Sequence, residues 1–340
     1  YQRRQTREKS GMNKDGLASS HQRLHTEAME EIYIGIDGGG TRTRLGIMDR
    51  EGTVLHRNEV ASANIYAVGE KTAKSYVTLL LDESLEEFKG RTIGGFCFGS
   101  AGLGREEERL FWQTFFDGYF TGTVTPILVS DALLLLAGAL PQRAGLCLIS
   151  GTGSICIGRN EEGTVVRSGG FGTVLGDEGS AWWIAREAIK RSLASLEGRE
   201  EATILTDELR VKIPLKRFEE VIGWANAKER TKDDIASLAP VVTNAAEDGD
   251  GVAIRILEEA IAHLIALIEA TERRLPPTWP HHLGLGGGVL EWDRYIRPRL
   301  RERLSTRWEL FSTKDAALNG AMVMALEGVQ GTVASKSSSS

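Results

Sequence analysis

Short apolar runs separated by turns occupy the stretch from residue 32 to residue 59. Apolar segments at 32–37 and 43–49 flank a glycine-rich turn, and a segment of β-branched and polar residues at 52–59 follows a second turn. Apolar runs of four to eight residues bounded by glycine and other turn formers are typical of β-strands. The pattern therefore predicts three consecutive strands.

From residue 71 onward, some apolar positions follow a helical period and others form short buried runs. Apolar residues near a 3.6-residue period predict a helix at 71–89, and the most regular apolar stripe lies at 252–274. The other predicted elements are a strand at 93–98, a helix at 106–116, a strand at 123–129, a short apolar helix at 131–140, a helix at 179–196, a strand with a turn at 283–288 and a helix at 316–326. Strands that alternate with helices in two halves predict an α/β architecture.

The turn between the first two predicted strands reads Asp-Gly-Gly-Gly-Thr over residues 37–41, the first glycine turn. Its glycines are expected to adopt positive φ and to let backbone N–H groups crowd around an anion. Thr41 adds a hydroxyl, and Asp37 stands where a metal bound to that anion could be held through water. The turn is not a P-loop, because no Gly-Lys-Ser/Thr follows. A plain hairpin with glycine at its bend is the alternative.

Two later glycine turns strengthen the phosphate-binding interpretation. The second glycine turn, Ser-Gly-Thr-Gly-Ser over residues 150–154, again lies between two apolar strand-like runs. The third, Gly-Leu-Gly-Gly-Gly over residues 284–288, follows an extended segment. Such an arrangement predicts two lobes that close on one nucleotide, with a duplicated β-rich core.

Composition narrows the classes of function. The chain has 340 residues, 41% of them apolar, which is ample for one very large domain or two ordinary ones. A net charge of −6 disfavours a nucleic-acid surface, and no apolar stretch is long and clean enough to span a membrane. The three cysteines, Cys97, Cys147 and Cys156, lie in apolar runs without metal-binding spacing, as expected of reduced core thiols in a cytoplasmic protein.

A Gly-Asp-Glu-Gly-Ser-Ala stretch at 176–181, taken with the glycine turns, resembles the BadF/BadG group of the actin/hexokinase/Hsp70 ATPase superfamily. The resemblance runs from about 31 to 328 and is greatest to N-acetylglucosamine kinases. It implies a two-lobed, ribonuclease H-like ATPase fold with an antiparallel three-stranded start and an ATP cleft between the lobes. The lobes are expected at 30–143 and 144–330, with the last helix returning to the first lobe. Residues 1–29 are expected to be a disordered extension and 331–340 a flexible tail.

The resemblance also implies an activity: phosphorylation of the 6-hydroxyl of N-acetylglucosamine by ATP with Mg²⁺. Asp131 ends a predicted strand, so its carboxylate is expected where ligands collect in α/β sheets, although an aspartate there is also an ordinary helix N-cap. In the resembling kinases an aspartate in this place is the general base, and we assign that role to Asp131. The expected small-molecule partner is the amino sugar. Related kinases are often dimers, so the resemblance is also compatible with a homodimer.

The remaining site residues are assigned from the same resemblance. Three of these residues have a structural alternative: a turn residue for Asn64, an N-cap for Asp177 and a core residue on a helix face for Ala236. The sugar is expected to contact Asn64, Asp131, Gly170, Phe171, Gly172 and Asp177. The nucleotide is expected to contact Gly39, Gly40, Thr41, Gly151, Thr152, Gly153, Ala236 and Gly287, with Asp37 holding Mg²⁺ through water.

One residue departs from the pattern of the resembling kinases. Human-type enzymes carry asparagine directly after the second glycine turn, where this chain has Ile155. The exact acceptor therefore stays open between N-acetylglucosamine, glucosamine and N-acetylmuramic acid. A second class that shares the core is the ATPase activator of 2-hydroxyacyl-CoA dehydratases, which holds an iron–sulfur cluster through cysteines. A non-catalytic sugar sensor is a third class.

Overall fold

The computed structural model describes residues 31–140, 144–276, 281–304 and 306–328. The predictions for the terminal segments 1–29 and 331–340 lie outside the described residues. Among the described residues, no helix is both long enough and apolar enough to cross a membrane.

The first sheet has five strands in the spatial order β3-β2-β1-β4-β5. Its strands are β1 (Ile32–Gly38), β2 (Arg42–Met48), β3 (Val54–Ala61), β4 (Ile93–Ser100) and β5 (Pro126–Val129). Strands β1, β2 and β3 pair antiparallel, whereas β4 and β5 run parallel to β1. The antiparallel three-stranded start expected from the sequence is therefore present.

The second sheet repeats the first, strand for strand, in the order β10-β9-β6-β7-β8. Its strands are β6 (Gly145–Ser150), β7 (Ser154–Arg159), β8 (Val165–Gly169), β9 (His282–Gly286) and β10 (Glu309–Ser312). Again three strands pair antiparallel and two more add in parallel. The α/β class is confirmed. The first and second glycine turns occupy equivalent hairpins, one in each sheet.

The predicted helices are present, with shifted ends that have local causes. The helices are α1 (Ile65–Val68), α2 (Glu70–Leu85), α3 (Glu106–Phe120), α4 (Asp131–Ala139), α5 (Gly172–Leu175), α6 (Ala181–Leu196), α7 (Leu205–Lys212), α8 (Val221–Ala225), α9 (Lys232–Ala236), α10 (Ala239–Glu247), α11 (Gly251–Glu272), α12 (Gly288–Trp292), α13 (Ile296–Arg303) and α14 (Ala316–Glu327). Helix α6 begins at Ala181 because Ser180 caps it. Strand β5 begins only at Pro126, since a turn closed by the Thr123 N–H on the Phe120 carbonyl precedes it.

Helices α4 and α14 cross between the two sheets at a pair of glycines. A Cβ on Gly138 would lie 1.8 Å from the Ala316 carbonyl oxygen, and one on Gly320 would lie 1.9 Å from the Leu134 carbonyl oxygen. Helix α14 rests on the first sheet, where a Cβ on Gly35 would lie 2.3 Å from the Met322 nitrogen. The crossing therefore fixes the position of α4, and of the residue that begins it, relative to β1.

Candidate active site

The carboxyl ends of three parallel strands form one edge of the first sheet. The register places Asp37 of β1 opposite Gly99 of β4, and Gly99 opposite Val129 of β5. Asp131 follows Val129 by two residues. Ligands of α/β sheets collect at such an edge. Asp37 and Asp131 consequently stand close enough for the charge of Asp37 to raise the pKa of Asp131.

Asp131 is not the cap of α4, so the alternative interpretation of this residue is wrong. Ser130 is the N-cap, and its Oγ accepts a hydrogen bond from the Leu133 N–H at 3.3 Å. Asp131 is the first helical residue, partly buried, with Oδ1 accepting from the Ala132 N–H at 2.8 Å. Burial raises the pKa of the Asp131 carboxyl, the Ala132 N–H opposes that shift, and the Asp37 charge adds to it. A carboxylate of raised pKa accepts a proton better than an ordinary one.

Asp37 is buried and held by an arginine on the neighbouring strand. Arg44, its register partner on β2, donates to Asp37 Oδ2 from Nη2 at 2.7 Å and from Nε at 3.2 Å. Arg44 also reaches Oδ1 of Asp315, the residue before α14, at 3.4 Å. Burial raises the pKa of Asp37, and the Arg44 guanidinium opposes the shift. Both hydrogen bonds that Arg44 donates to Asp37 end on Oδ2.

Two glycines of the first glycine turn, Gly38 and Gly39, are needed for space and not for backbone angle, which corrects the expectation of positive φ. None of Gly38, Gly39 and Gly40 has a positive φ. A Cβ on Gly39 would instead lie 2.9 Å from the Arg42 carbonyl oxygen, and one on Gly38 would lie 3.0 Å from that of Gly99. Gly40 and Thr41 are exposed at the tip. The turn is thus packed tightly against its own hairpin, and its tip is open to a ligand.

Asn64 is tied to the first glycine turn through Ser62. The Ser62 Oγ donates to the Gly39 carbonyl at 3.0 Å and accepts from the Asn64 N–H at 3.2 Å. The Asn64 Oδ1 accepts from the Tyr66 N–H at 2.9 Å and so caps α1. The alternative role as a turn residue is therefore real, and the sugar contact of Asn64 stays a prediction.

The second glycine turn is braced by the segment that carries Asp177. Ser150 Oγ donates to the Gly179 carbonyl at 2.8 Å, and Ser154 Oγ donates to the Glu178 carbonyl at 2.7 Å. The third glycine turn touches it as well: Gly287 has φ 89°, and a Cβ there would lie 2.5 Å from the Ser150 carbonyl oxygen. Gly287 requires glycine on both counts. Two of the predicted nucleotide segments are thus in contact.

Asp177 lies beneath the second glycine turn and does not cap α6, since Ser180 does. Its φ is 63°, in the left-handed region that aspartate tolerates better than most residues. Oδ1 accepts from the Ser154 N–H at 3.1 Å, and Oδ2 accepts from Lys232 Nζ at 2.8 Å. The side chain is only 4% exposed. Each oxygen has one partner and can accept a further hydrogen bond, and the sugar contact of Asp177 stays a prediction.

Helix α9 supplies two site residues that the sequence analysis missed. Lys232 binds Asp177, and Asp233 Oδ1 accepts from Thr152 Oγ1 at 2.7 Å. A capping box formed by Thr231 and Asp234 begins this helix. That pattern could have located the helix start, but not the turn it packs against. Ala236 is buried, as the core-residue alternative had it, in a helix that begins at the second glycine turn.

Residues 170–172 approach the second glycine turn from β8. The Gly170 N–H donates to the Ser154 carbonyl at 2.9 Å, and a Cβ on Gly170 would lie 2.8 Å from Ile155 Cδ1. Phe171 is 61% exposed, and Gly172 begins α5 beside it. The predicted sugar-side segment and the departure at Ile155 are therefore neighbours.

Asp131 faces the second lobe. Leu135 lies one helical turn after Asp131 on α4, and residues four apart share a helix face. A Cβ on Gly286 would lie 2.7 Å from Leu135 Cδ2, so this face meets the end of β9, where the third glycine turn lies. The carboxylate thus stands on the side of α4 that the glycine turns of the second lobe approach.

The donor set suits a magnesium ion brought in with a nucleotide better than a resident metal cluster. Magnesium is commonly bound by one or two carboxylates together with substrate phosphates, and Asp37 fits that pattern. In the described ranges no group of three or more His, Cys, Asp or Glu residues is arranged to hold a metal. The three cysteines are free and buried, and burial raises the pKa of each thiol, that of Cys156 to about 12. Their positions inside the sheets suit core packing better than ligation of a cluster.

The two five-stranded sheets, each with a glycine turn in its first hairpin, have the fold of an actin-like ATPase. The model of the BadF/BadG/BcrA/BcrD ATPase family matches residues 34–322, and the chain belongs to this family. An N-acetylmuramic acid/N-acetylglucosamine kinase of Clostridium acetobutylicum is 35% identical over 303 residues, 87% of this chain and 98% of that protein.

Two further relatives extend the comparison. An N-acetyl-D-glucosamine kinase of Dictyostelium discoideum is 32% identical over 313 residues, 87% of this chain and 98% of that protein. The crystal structure of a putative N-acetylglucosamine kinase of Chromobacterium violaceum superposes with a TM-score of 0.67 at 24% identity, covering 86% of this chain and 98% of that one. The structural likeness supports the fold, and the family resemblance seen in the sequence is confirmed.

Proposed function

We propose that this protein is an ATP-dependent sugar kinase that phosphorylates the 6-hydroxyl of N-acetylglucosamine and releases N-acetylglucosamine 6-phosphate and ADP. The observation that carries the proposal is Asp131, a carboxylate of raised pKa at the strand ends, relieved of capping by Ser130. Relatives at 32–35% identity that bear this activity in their names support the choice of sugar.

Asp131 is the general base. As the 6-hydroxyl oxygen attacks the γ-phosphorus, Asp131 takes the hydroxyl proton, and the bond from phosphorus to the bridging oxygen of ADP breaks. The raised pKa makes the carboxylate a better proton acceptor. Its neighbour Asp37 would hold Mg²⁺, which supplies positive charge to the phosphates.

The glycine turns bind the nucleotide. Backbone N–H groups of Gly39 and Gly40 with the Thr41 hydroxyl lie on one side, and Gly151, Thr152 and Gly153 lie on the other. Ala236 and Gly287 border the adenosine. Asn64, Asp177 and the Gly170-Phe171-Gly172 segment bind the sugar. We place the reaction in the cytosol, which three free buried thiols support.

The test is ADP release with Mg-ATP against N-acetylglucosamine, glucosamine, N-acetylmuramic acid, N-acetylmannosamine and glucose, with the phosphorylated position identified by NMR. We expect stimulation by N-acetylglucosamine and phosphate at oxygen 6. Asp131→Asn should abolish the stimulation, whereas Asp117→Asn, an exposed aspartate on α3, should behave as the parent protein. Slow hydrolysis that no sugar stimulates would contradict the proposal and favour a dehydratase activator, for which iron content is the next measurement.

N-Acetylmuramic acid is the second candidate acceptor, because Ile155 presents an apolar side chain against Gly170 where related kinases carry asparagine. The bacterial relative is named for both sugars. We expect Ile155→Asn to shift the ratio of kcat/KM toward N-acetylglucosamine. An unchanged ratio would remove Ile155 from the choice of sugar.

A further inference from the structure

Two charged side chains from the start of α9 reach the second glycine turn. Lys232 Nζ lies 2.8 Å from Asp177 Oδ2, and Asp233 Oδ1 lies 2.7 Å from Thr152 Oγ1. A Cβ on Gly153 would be 2.9 Å from Lys232 Nζ. The ammonium group therefore sits directly against the turn that is expected to hold phosphates.

The charges around the glycine turns indicate a role for Lys232. Asp37 belongs to the first glycine turn, Asp177 and Asp233 contact the second, and a nucleoside triphosphate adds several more negative charges. Arg44 is committed to the first lobe, where it contacts Asp37 and Asp315. Lys232 brings positive charge to the second glycine turn. Phosphoryl transfer depends on such charge, because the protein acts largely by positioning and neutralising the phosphates.

We propose that Lys232 binds the nucleotide phosphates across the second glycine turn and that Asp177 positions Lys232. Until nucleotide binds, Asp233 accepts the hydrogen bond of the Thr152 hydroxyl. The proposal rests on the proposed function for the identity of the ligand as a nucleotide. It assigns to Asp177 a role toward phosphate, through Lys232.

Hydrogen-bond capacity supports this assignment. An ammonium group has three donors and Asp177 takes one, so others remain for phosphate oxygens. Asp177 is itself locked from the other side by the Ser154 N–H at 3.1 Å, which fixes Lys232 in direction. A side chain at position 153 would have to displace the Lys232 ammonium or the Asp177 carboxylate.

Thr152 must change partner when phosphate arrives. A hydroxyl has one proton to donate, and Thr152 now donates it to Asp233. Donation to a phosphate oxygen requires release of Asp233, an exposed side chain with room to turn into solvent. Asp233 therefore competes with the phosphates for Thr152 and also repels them.

The experiment is calorimetric titration of the full chain, without sugar, with a non-hydrolysable Mg-ATP analogue and separately with adenosine. Lys232→Met should weaken the analogue about 10- to 100-fold, the range for losing a hydrogen bond to a charged group, and leave adenosine unchanged. Lys232→Arg should restore most of the affinity. Lys228→Met, an exposed lysine on the loop before α9, is the matched control and should bind as the parent protein. Asp233→Ala should bind the analogue about two- to fivefold more tightly, because a negative charge is removed.

Unchanged affinity of Lys232→Met for the analogue would overturn the proposal. So would an equal loss for the analogue and for adenosine, because that result would mean that α9 is merely displaced. The titration contains no sugar. If the protein did not phosphorylate a sugar, a loss of analogue affinity in Lys232→Met would therefore still support the role of Lys232. The two proposals therefore fail by different measurements.

Discussion

Replacing Gly320 by alanine should drive α4 and α14 apart. The new Cβ would lie 1.9 Å from the Leu134 carbonyl oxygen and 2.7 Å from the Gly138 nitrogen, where an ordinary contact is 3.4 Å or more. Both obstacles are backbone atoms, so no rotamer change relieves them. The helices must separate by about 1.5 Å, enough to lose a large part of the dispersion attraction across the contact.

Overpacking of this kind typically costs about 1–3 kcal/mol, and the rigid backbone obstacle places Gly320→Ala at about 3 kcal/mol. Alanine's better helix propensity returns up to ~1 kcal/mol. The matched control is Gly118→Ala in the last turn of α3, where a Cβ would meet nothing within 4 Å. That variant has the propensity gain without the clash, so it should be slightly more stable than the parent protein.

Urea unfolding followed by circular dichroism measures the difference directly, and thermal unfolding should show Gly320→Ala about 3–5 °C below the parent. Because the crossing positions Asp131 relative to Asp37, transfer activity should also fall at temperatures where the variant is folded. A Gly320→Ala protein within about 0.5 kcal/mol of the parent would refute the argument that close backbone approach fixes α4 against α14.

Three further outcomes are expected. Asp131→Asn should lower kcat by about 10²–10⁴-fold while keeping Mg-ATP affinity, measured by steady-state kinetics and calorimetry; near-parental turnover would exclude Asp131 as the base. The base must be ionised to act, and the pKa of Asp131 is raised. We therefore expect kcat/KM to fall as the pH is lowered, with a midpoint above the ordinary aspartate pKa of about 3.9. A fall confined to pH values below about 4 would contradict this. Arg44→Met should destabilise the fold by about 3 kcal/mol at pH 7, since it leaves Asp37 buried and unpaired. Without Arg44 the pKa of Asp37 rises further, so urea unfolding should show the deficit shrinking as pH falls and Asp37 becomes protonated; a deficit independent of pH would point to lost packing instead.

Local sequence patterns were sufficient to predict many of the strands, helices and turns of this protein. Apolar periodicity located the strands around the first glycine turn and the long helix α11, because burial on one face repeats with the geometry of the element itself. A strand followed by Ser130 and Asp131 was enough to predict a carboxylate at the sheet edge. The glycine turns were also visible, since each lies between two apolar runs only a few residues away.

Tertiary structure decided what those groups touch. Lys232 and Asp233 meet Asp177 and Thr152 across 55 and 81 residues of chain, and no short-range pattern encodes which turn α9 will pack against. The reason that glycine is needed at Gly38 and Gly39 was likewise invisible in sequence: it is the approach of neighbouring backbone and not a positive φ. Periodicity records which face of an element is buried, whereas the partner on that face is chosen by packing of the whole chain.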